Sequence, residues 1–217
     1  MSKDNVYIFD LDDTLFPTAT IRKDVGLPLL NKLKEINYSE RYFEKSMIEV
    51  IYNDCWKNSF VELIDKYNLP NVFINGLHRA YKELEVTHKL KLYKDAEIIK
   101  ELNEDKYLVT TGYEKLQKSK VQSLGIESYF KEIFVNDSIE KFKLGKLFFF
   151  NKIFKKYNIK PDSFIVIGDN VNSEIKAGNK LSFTTVLIDR NTLVEDSLAN
   201  FNISSLEEIL FLNNAYE

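Results

Sequence analysis

Cysteine occurs once in this chain, at Cys55. No internal disulfide can form, and a reducing, cytoplasmic setting is the expectation. Four prolines and seven glycines are too few for a flexible linker, and there is no low-complexity tract or internal repeat. No apolar run approaches the roughly 20 residues of a membrane-crossing helix. The first residues, Met1-Ser2-Lys3-Asp4-Asn5, lack the basic-then-apolar order of a secretory signal. Neither charge is in clear excess, since 30 Lys and Arg against 33 Asp and Glu leave a net charge of −3. The lysine-rich segments are interrupted by acids, which argues against a nucleic-acid surface or a polybasic membrane surface. Histidine is nearly missing too. His78 and His88 have no second His or carboxylate at metal-ligand spacing, and they read as surface or packing residues.

What is present is a chain of 217 residues, long enough for one large domain or for a core carrying a smaller insertion. Its organising stretch is Val6-Tyr7-Ile8-Phe9-Asp10-Leu11-Asp12-Asp13-Thr14-Leu15-Phe16, a β-prone apolar run that ends in three carboxylates. Alternate residues of an extended chain share a face, so Asp10 and Asp12 can point one way while Leu11 enters the core. Carboxylates that close repel, and a proton or a cation must relieve them. The plainer reading of Asp12 or Asp13 is a turn or helix cap.

From Pro17 to about Lys91 the apolar residues recur at helical spacing: Leu29, Leu30, Leu33, Ile36; Tyr42, Phe43, Met47, Val50, Ile51; Phe60, Val61, Ile64, Tyr67; Val72, Leu77, Tyr81, Leu84. About four helices are expected. Breaks fall at Asn37-Tyr38-Ser39, around Trp56-Lys57-Asn58 and at Asn68-Leu69-Pro70-Asn71, where Ser or Asn can cap the next helix. After Leu92 strands and helices alternate. The spacing predicts strands at 107–110, 133–135, 164–168 and 184–188. It predicts helices around Ala96–Leu102, from Leu116 to Leu124 with Gly125 as the stop, over 144–157 and over 172–180, and then a short last helix in which Ser205 and Glu208 form a capping box. Phe148-Phe149-Phe150 reads as helical core. With the first strand this makes five strands, hence an α/β fold: a Rossmann-like, doubly wound parallel sheet over 1–16 and 92–217, with an all-helical insertion over 17–91.

Parallel strands present their carboxyl ends along one edge. That edge receives Asp10-Leu11-Asp12, Thr110-Thr111-Gly112 and Gly168-Asp169-Asn170, with Glu174 five residues past Asp169 and Lys141, Lys143 and Lys146 before it. Clustered carboxylates suit Mg²⁺ together with a phosphate. An Asp can attack phosphorus, a second acid can protonate the leaving oxygen and later activate water, and hydroxyl, amide and ammonium donors can hold the other oxygens.

These segments, in this order, resemble the four motifs of the haloacid dehalogenase superfamily, and the ending from Ser204 to Leu210 is similar to the family's last helix. The resemblance implies Asp10 as nucleophile, Asp12 as general acid/base that also offers its main-chain carbonyl to Mg²⁺, and Asp169 as metal ligand. Thr110, Thr111 and a lysine would bind phosphate. The spacing back from Asp169 favours Lys143, with Lys146 second. Two departures stand out: Glu174 occupies the place of a usual Asp, and Lys141-Phe142-Lys143-Leu144-Gly145-Lys146 lacks the frequent Lys-Pro. The helical block resembles the family's first type of cap. The expectation is a Mg²⁺-dependent phosphatase of a small phosphorylated metabolite, a monomer or weak homodimer with no nucleic-acid or membrane partner. The alternatives are a β-phosphoglucomutase-like phosphotransferase and a silent module that binds phosphate or Mg²⁺. The acid at position 12 argues against the dehalogenase branch. Arg22, Lys23, Asn75 and Arg79 can reach a substrate only if their helices face the crevice. Cys55 has no neighbouring base and reads as a buried small side chain.

Overall fold

The structure is a computed structural model that describes residues 5–56, 60–137, 145–190 and 198–212. Six strands, β1 (Val6–Phe9), β2 (Asp105–Gly112), β3 (Glu132–Asp137), β4 (Phe164–Gly168), β5 (Thr184–Ile188) and β6 (Phe201–Ile203), form one sheet in the order β3-β2-β1-β4-β5-β6. Every pairing is parallel. The sheet is buried on both faces, as an all-parallel sheet requires. Along β1 the side chains alternate: Tyr7 and Phe9 enter one apolar cluster, Val6 and Ile8 the other. Each such fully buried side chain contributes about 1.5–3 kcal/mol.

One strand more is present than the five expected. Phe201-Asn202-Ile203 is too short to show an alternating pattern, and it is held by backbone pairing from Val186 through Ile188. Just beyond it, the Ser205 and Glu208 capping box is formed as expected, at a 3-10 turn over Leu206–Glu208.

Four helices lie between β1 and β2: α1 (Leu27–Glu40), α2 (Lys45–Asp54), α3 (Phe60–Tyr67) and α4 (Asn71–Glu83). Their buried faces carry Leu29, Leu33 and Ile36, then Ile48 and Ile51, then Leu63, then Phe73, Leu77 and Tyr81, the three- and four-residue steps of amphipathic helices. The break expected at Asn37 does not occur. The Asn37 amide donates to the Phe43 carbonyl at 2.8 Å and its oxygen accepts from the Phe43 N–H at 2.9 Å. It ties down the loop after α1, and the helix runs on to Arg41, whose φ of 55° is left-handed. No Ser or Asn caps α2 or α4, which start after Glu44 and Pro70. The break expected around Lys57 and Asn58 lies outside the described residues.

Past the insertion, α5 (Glu114–Leu124) ends at Gly125, whose φ of 67° makes the left-handed stop that glycine favours. Next come α6 (Gly145–Phe154), α7 (Lys176–Asn179) and α8 (Ile209–Leu212). The stretch expected as a helix around Ala96 is a 3-10 segment over Asp95–Lys100, and α7 opens with a π turn over Val171–Ile175. Phe150 is buried but Phe148 is exposed, because three consecutive helical residues spread over most of a turn. Among the described residues no helix is long and apolar enough to cross a membrane.

Candidate active site

The sheet order reverses at β1, which pairs with β2 on one side and β4 on the other. In doubly wound sheets a crevice opens beyond the carboxyl ends of the strands at such a reversal. Here it holds a cavity of about 810 Å³ lined by Asp10, Asp12, Thr110, Thr111, Lys146, Asp169 and Glu174 from the sheet side, and by Arg22, Trp56, Phe60 and Tyr81 from the helical insertion. Asp10 and Asp169 follow β1 and β4, and the Asp10 N–H donates to the Ile167 carbonyl at 2.9 Å, extending the β1–β4 ladder to the acid itself.

Asp10 is buried, and the Lys146 ammonium bridges it to Glu174, which is equally buried. Burial pushes the Asp10 carboxyl well above the usual carboxylate range. Lys146 opposes this, while Glu174, Asp169 and Asp12 add to it. Burial by itself would pull the Lys146 ammonium down, but Asp10 and Glu174 outweigh it and hold it above the ordinary lysine range. Asp169 has an open face to the cleft, yet enclosure by the cleft walls, and then Glu174 and Asp13, push its carboxyl up to about 7. Glu174 also accepts from the Asn170 N–H at 3.2 Å.

The three acids after β1 divide their work. Asp13, at a φ of 53°, serves the turn: its N–H donates to the Phe16 carbonyl at 2.9 Å and its carboxylate accepts from the Thr18 N–H at 2.9 Å. Asp12 faces the cleft and α5, where Lys120 lies 2.7 and 2.9 Å from its two oxygens. From the end of β2, the Thr110 hydroxyl is buried and accepts from the Gln117 amide at 2.6 Å, and the Thr111 hydroxyl accepts from Asn136 of β3 at 3.2 Å.

The structure therefore brings Asp10, Asp12, Thr110, Thr111 and Asp169 to one cavity, together with Lys146. Lys143 and Lys141 lie outside the described residues. Gln117 and Lys120 of α5, which the motifs do not include, line the cavity as well. The signal was there: Lys120 stands midway between Leu116 and Leu124 at steps of four, inside the apolar stripe of α5. Arg22 lines the cavity, whereas Lys23, Asn75 and Arg79 are exposed elsewhere. His78 meets the Tyr113 hydroxyl at 3.2 Å and His88 meets Asp24 at 3.5 Å. Cys55 is buried, and burial pushes its thiol up to about 11.

Chemically, this is a set of hard oxygens whose negative charges raise one another, the condition a divalent cation relieves. Among the described residues no three metal-ligating side chains stand as a preformed cage. Mg²⁺ does not need one, since it keeps several waters and is completed by substrate phosphate.

The profile of haloacid dehalogenase-like hydrolases matches residues 7–188. A glyceraldehyde 3-phosphate phosphatase of Methanocaldococcus jannaschii is 25% identical, over 94% of this chain and 94% of that protein. The HAD-hydrolase YfnB of Bacillus subtilis is 25% identical over 99% of this chain and 97% of its own. A crystal structure of YfnB bound to magnesium covers 97% of this chain and 98% of that one, at a TM-score of 0.60 and 19% sequence identity over the superposition. A HAD phosphatase from Thermococcus onnurineus superposes with a TM-score of 0.65 at 18% identity, over 96% and 97% of the two chains.

Proposed function

Because the chain belongs to the haloacid dehalogenase-like hydrolases, we propose that it is a Mg²⁺-dependent phosphatase of a small phosphorylated metabolite, working through an aspartyl-phosphate on Asp10. The observation that carries this reading is the buried Asp10 at the reversal of the sheet, bridged by Lys146 to Glu174 and within electrostatic reach of Asp12 and Asp169. A naked pair of buried acids on one lysine is a poor device for stability. It is a good one for holding a nucleophile.

In this reading an Asp10 oxygen attacks phosphorus while Asp12 gives its proton to the leaving oxygen. Asp12 then takes a proton from the water that attacks the phosphoryl-enzyme, releasing phosphate and restoring Asp10. The Thr110 and Thr111 hydroxyls and a lysine hold the oxygens that are not transferred. Lys146 is the lysine whose contacts support that role, and Lys143 remains the other candidate from the chain's spacing. Asp10, Asp169 and the main-chain carbonyl of Asp12 would hold Mg²⁺, which when bound neutralises the carboxylates and polarises the phosphoryl group. The helical insertion, residues 17–91, acts as the cap over residues 1–16 and 92–217, shaping the cavity and excluding water. The catalogue of phosphorylated metabolites is where the relatives help: the M. jannaschii protein is named for a three-carbon phosphate, in keeping with a small substrate.

The test is a Mg²⁺ assay of phosphate release across a panel of phosphorylated metabolites and an aryl phosphate, for the wild type and Asp10→Asn. Wild-type turnover that needs Mg²⁺ and falls at least about 10³-fold in the variant supports the reading. Undiminished turnover in Asp10→Asn removes it. Transfer of the group between sugar positions without phosphate release would point to a phosphotransferase instead.

A further inference from the structure

Lysine is almost never fully buried unless it is paired, and the core of this protein pairs two of them. Lys146 serves Asp10. Lys120 on α5 is only 3% exposed, and its ammonium group grips both oxygens of Asp12, at 2.7 and 2.9 Å. One turn earlier on the same face, the Gln117 amide donates to Asp12 Oδ2 at 2.8 Å. From the first residues of the helical insertion, the Thr18 hydroxyl donates to Asp12 Oδ1 at 3.2 Å. A carboxylate has about four acceptor sites, and these four contacts fill them. The Lys120 ammonium also stands 5.6 Å from the centroid of the Phe16 ring, itself fully buried.

As a stabilising device this arrangement is weak, because an apolar side chain of the same shape would spare the protein the desolvation of a charge. As a means of fixing the plane of one carboxylate it is strong. We infer that Lys120 is a positioning residue for Asp12: together with Gln117 it sets the direction of the carboxyl from the sheet side, so that the acid meets the leaving oxygen of the bound ester. This rests on the reading of Asp12 as general acid/base. To act as an acid Asp12 must exchange one of its three donor groups for the leaving oxygen. Thr18 makes the longest of the contacts and is the one that yields. Asp12 enters the step protonated on the oxygen that Thr18 releases, carrying the proton it took from the hydrolytic water of the preceding turnover, and that proton passes to the leaving oxygen as the P–O bond breaks and its electron pair stays on that oxygen. Lys120 and Gln117 keep their hold throughout.

The experiment is the dependence of kcat/KM on the leaving group, since kcat/KM reports the steps up to phosphorylation of Asp10. An alkyl phosphate needs its leaving oxygen protonated, whereas p-nitrophenyl phosphate leaves as a stable phenolate and needs little help. Lys120→Met should lower kcat/KM for the best alkyl phosphate of the metabolite panel by about 10²-fold, with a much smaller loss on p-nitrophenyl phosphate. Lys120→Arg, which keeps charge and donors, should recover most of the alkyl activity, and Asp12→Ala should show the same leaving-group bias more strongly. Circular dichroism and thermal unfolding establish that the variants fold. If Lys120→Met does not, Lys120→Gln is compared with Lys120→Arg in the same way. Equal losses on the two esters, or no loss on either, overturn the positioning role. If that happens while Asp12→Ala keeps its bias, only this inference falls; a wild type without phosphatase activity takes the parent reading down with it.

Discussion

The strand ends and the helical insertion line the same cavity with different materials, buried charges on the one side and mainly rings, with Arg22 and Glu62 among them, on the other. On the sheet side, Asp10, Glu174, Lys120 and Lys146 are buried charged groups, each held by a named partner. On the other side, Trp56, Phe60 and Tyr81 present rings, backed by a Tyr81–Tyr113 stack with centroids 4.7 Å apart and planes 4° apart. Charges fixed in a low-dielectric edge can stabilise developing charge and little else. Aromatic walls discriminate by shape and apolar contact, an effect of only about 1–3 kcal/mol per group. Under the proposed function the difference implies a division of labour, with reaction type set at the sheet edge and substrate choice at the insertion.

Substitutions on the two sides should therefore fail differently. The largest expected effect is on the sheet side. Lys146→Met leaves Asp10 and Glu174 facing each other in a buried space, so turnover should fall by about 10³-fold or more on every substrate. Breaking a buried pair also costs about 3–5 kcal/mol of stability, which urea unfolding measures. A variant as active as the wild type on any ester would break the comparison. On the insertion side, Phe60 packs edge-on against Tyr81 and Tyr113 at centroid distances of 5.8 and 6.3 Å. Phe60→Ala should lower kcat/KM for the preferred metabolite by roughly 10-fold, mostly through KM, and should reorder the ranking of substrates. A uniform loss in kcat across all esters would instead draw the insertion into the chemistry.

How much of this was legible in the chain depends on whether one residue or several had to be placed. Asp10-Leu11-Asp12 at the end of an apolar run and Gly168-Asp169 at the end of another announce strand ends directly, because a buried parallel strand is a continuous apolar run that stops where its ligands begin. The parallel sheet follows from the alternation of strands and helices. Lys120 carried a signal, its place inside the apolar stripe of α5, but lysine ordinarily lies on a solvated face, and the stripe does not name the partner, Asp12, 108 residues away. Asn37 misled for a related reason. Its side chain can end a helix or secure the loop that follows, and the Phe43 backbone decides between them. Phe148 shows the limit of composition, since apolar identity does not say which of three adjacent rings faces inward. A three-residue strand such as β6 carries too short a pattern to be read at all.

The most direct measurement is the covalent state of Asp10 during turnover. Wild-type protein mixed with Mg²⁺ and a good substrate, quenched in acid within the first turnovers and digested, should yield the peptide bearing Asp10 heavier by one phosphoryl group, and the added mass should disappear when the substrate is exhausted. Steady phosphate release with that peptide unmodified at every quench time, or with the group on another residue, would contradict the account.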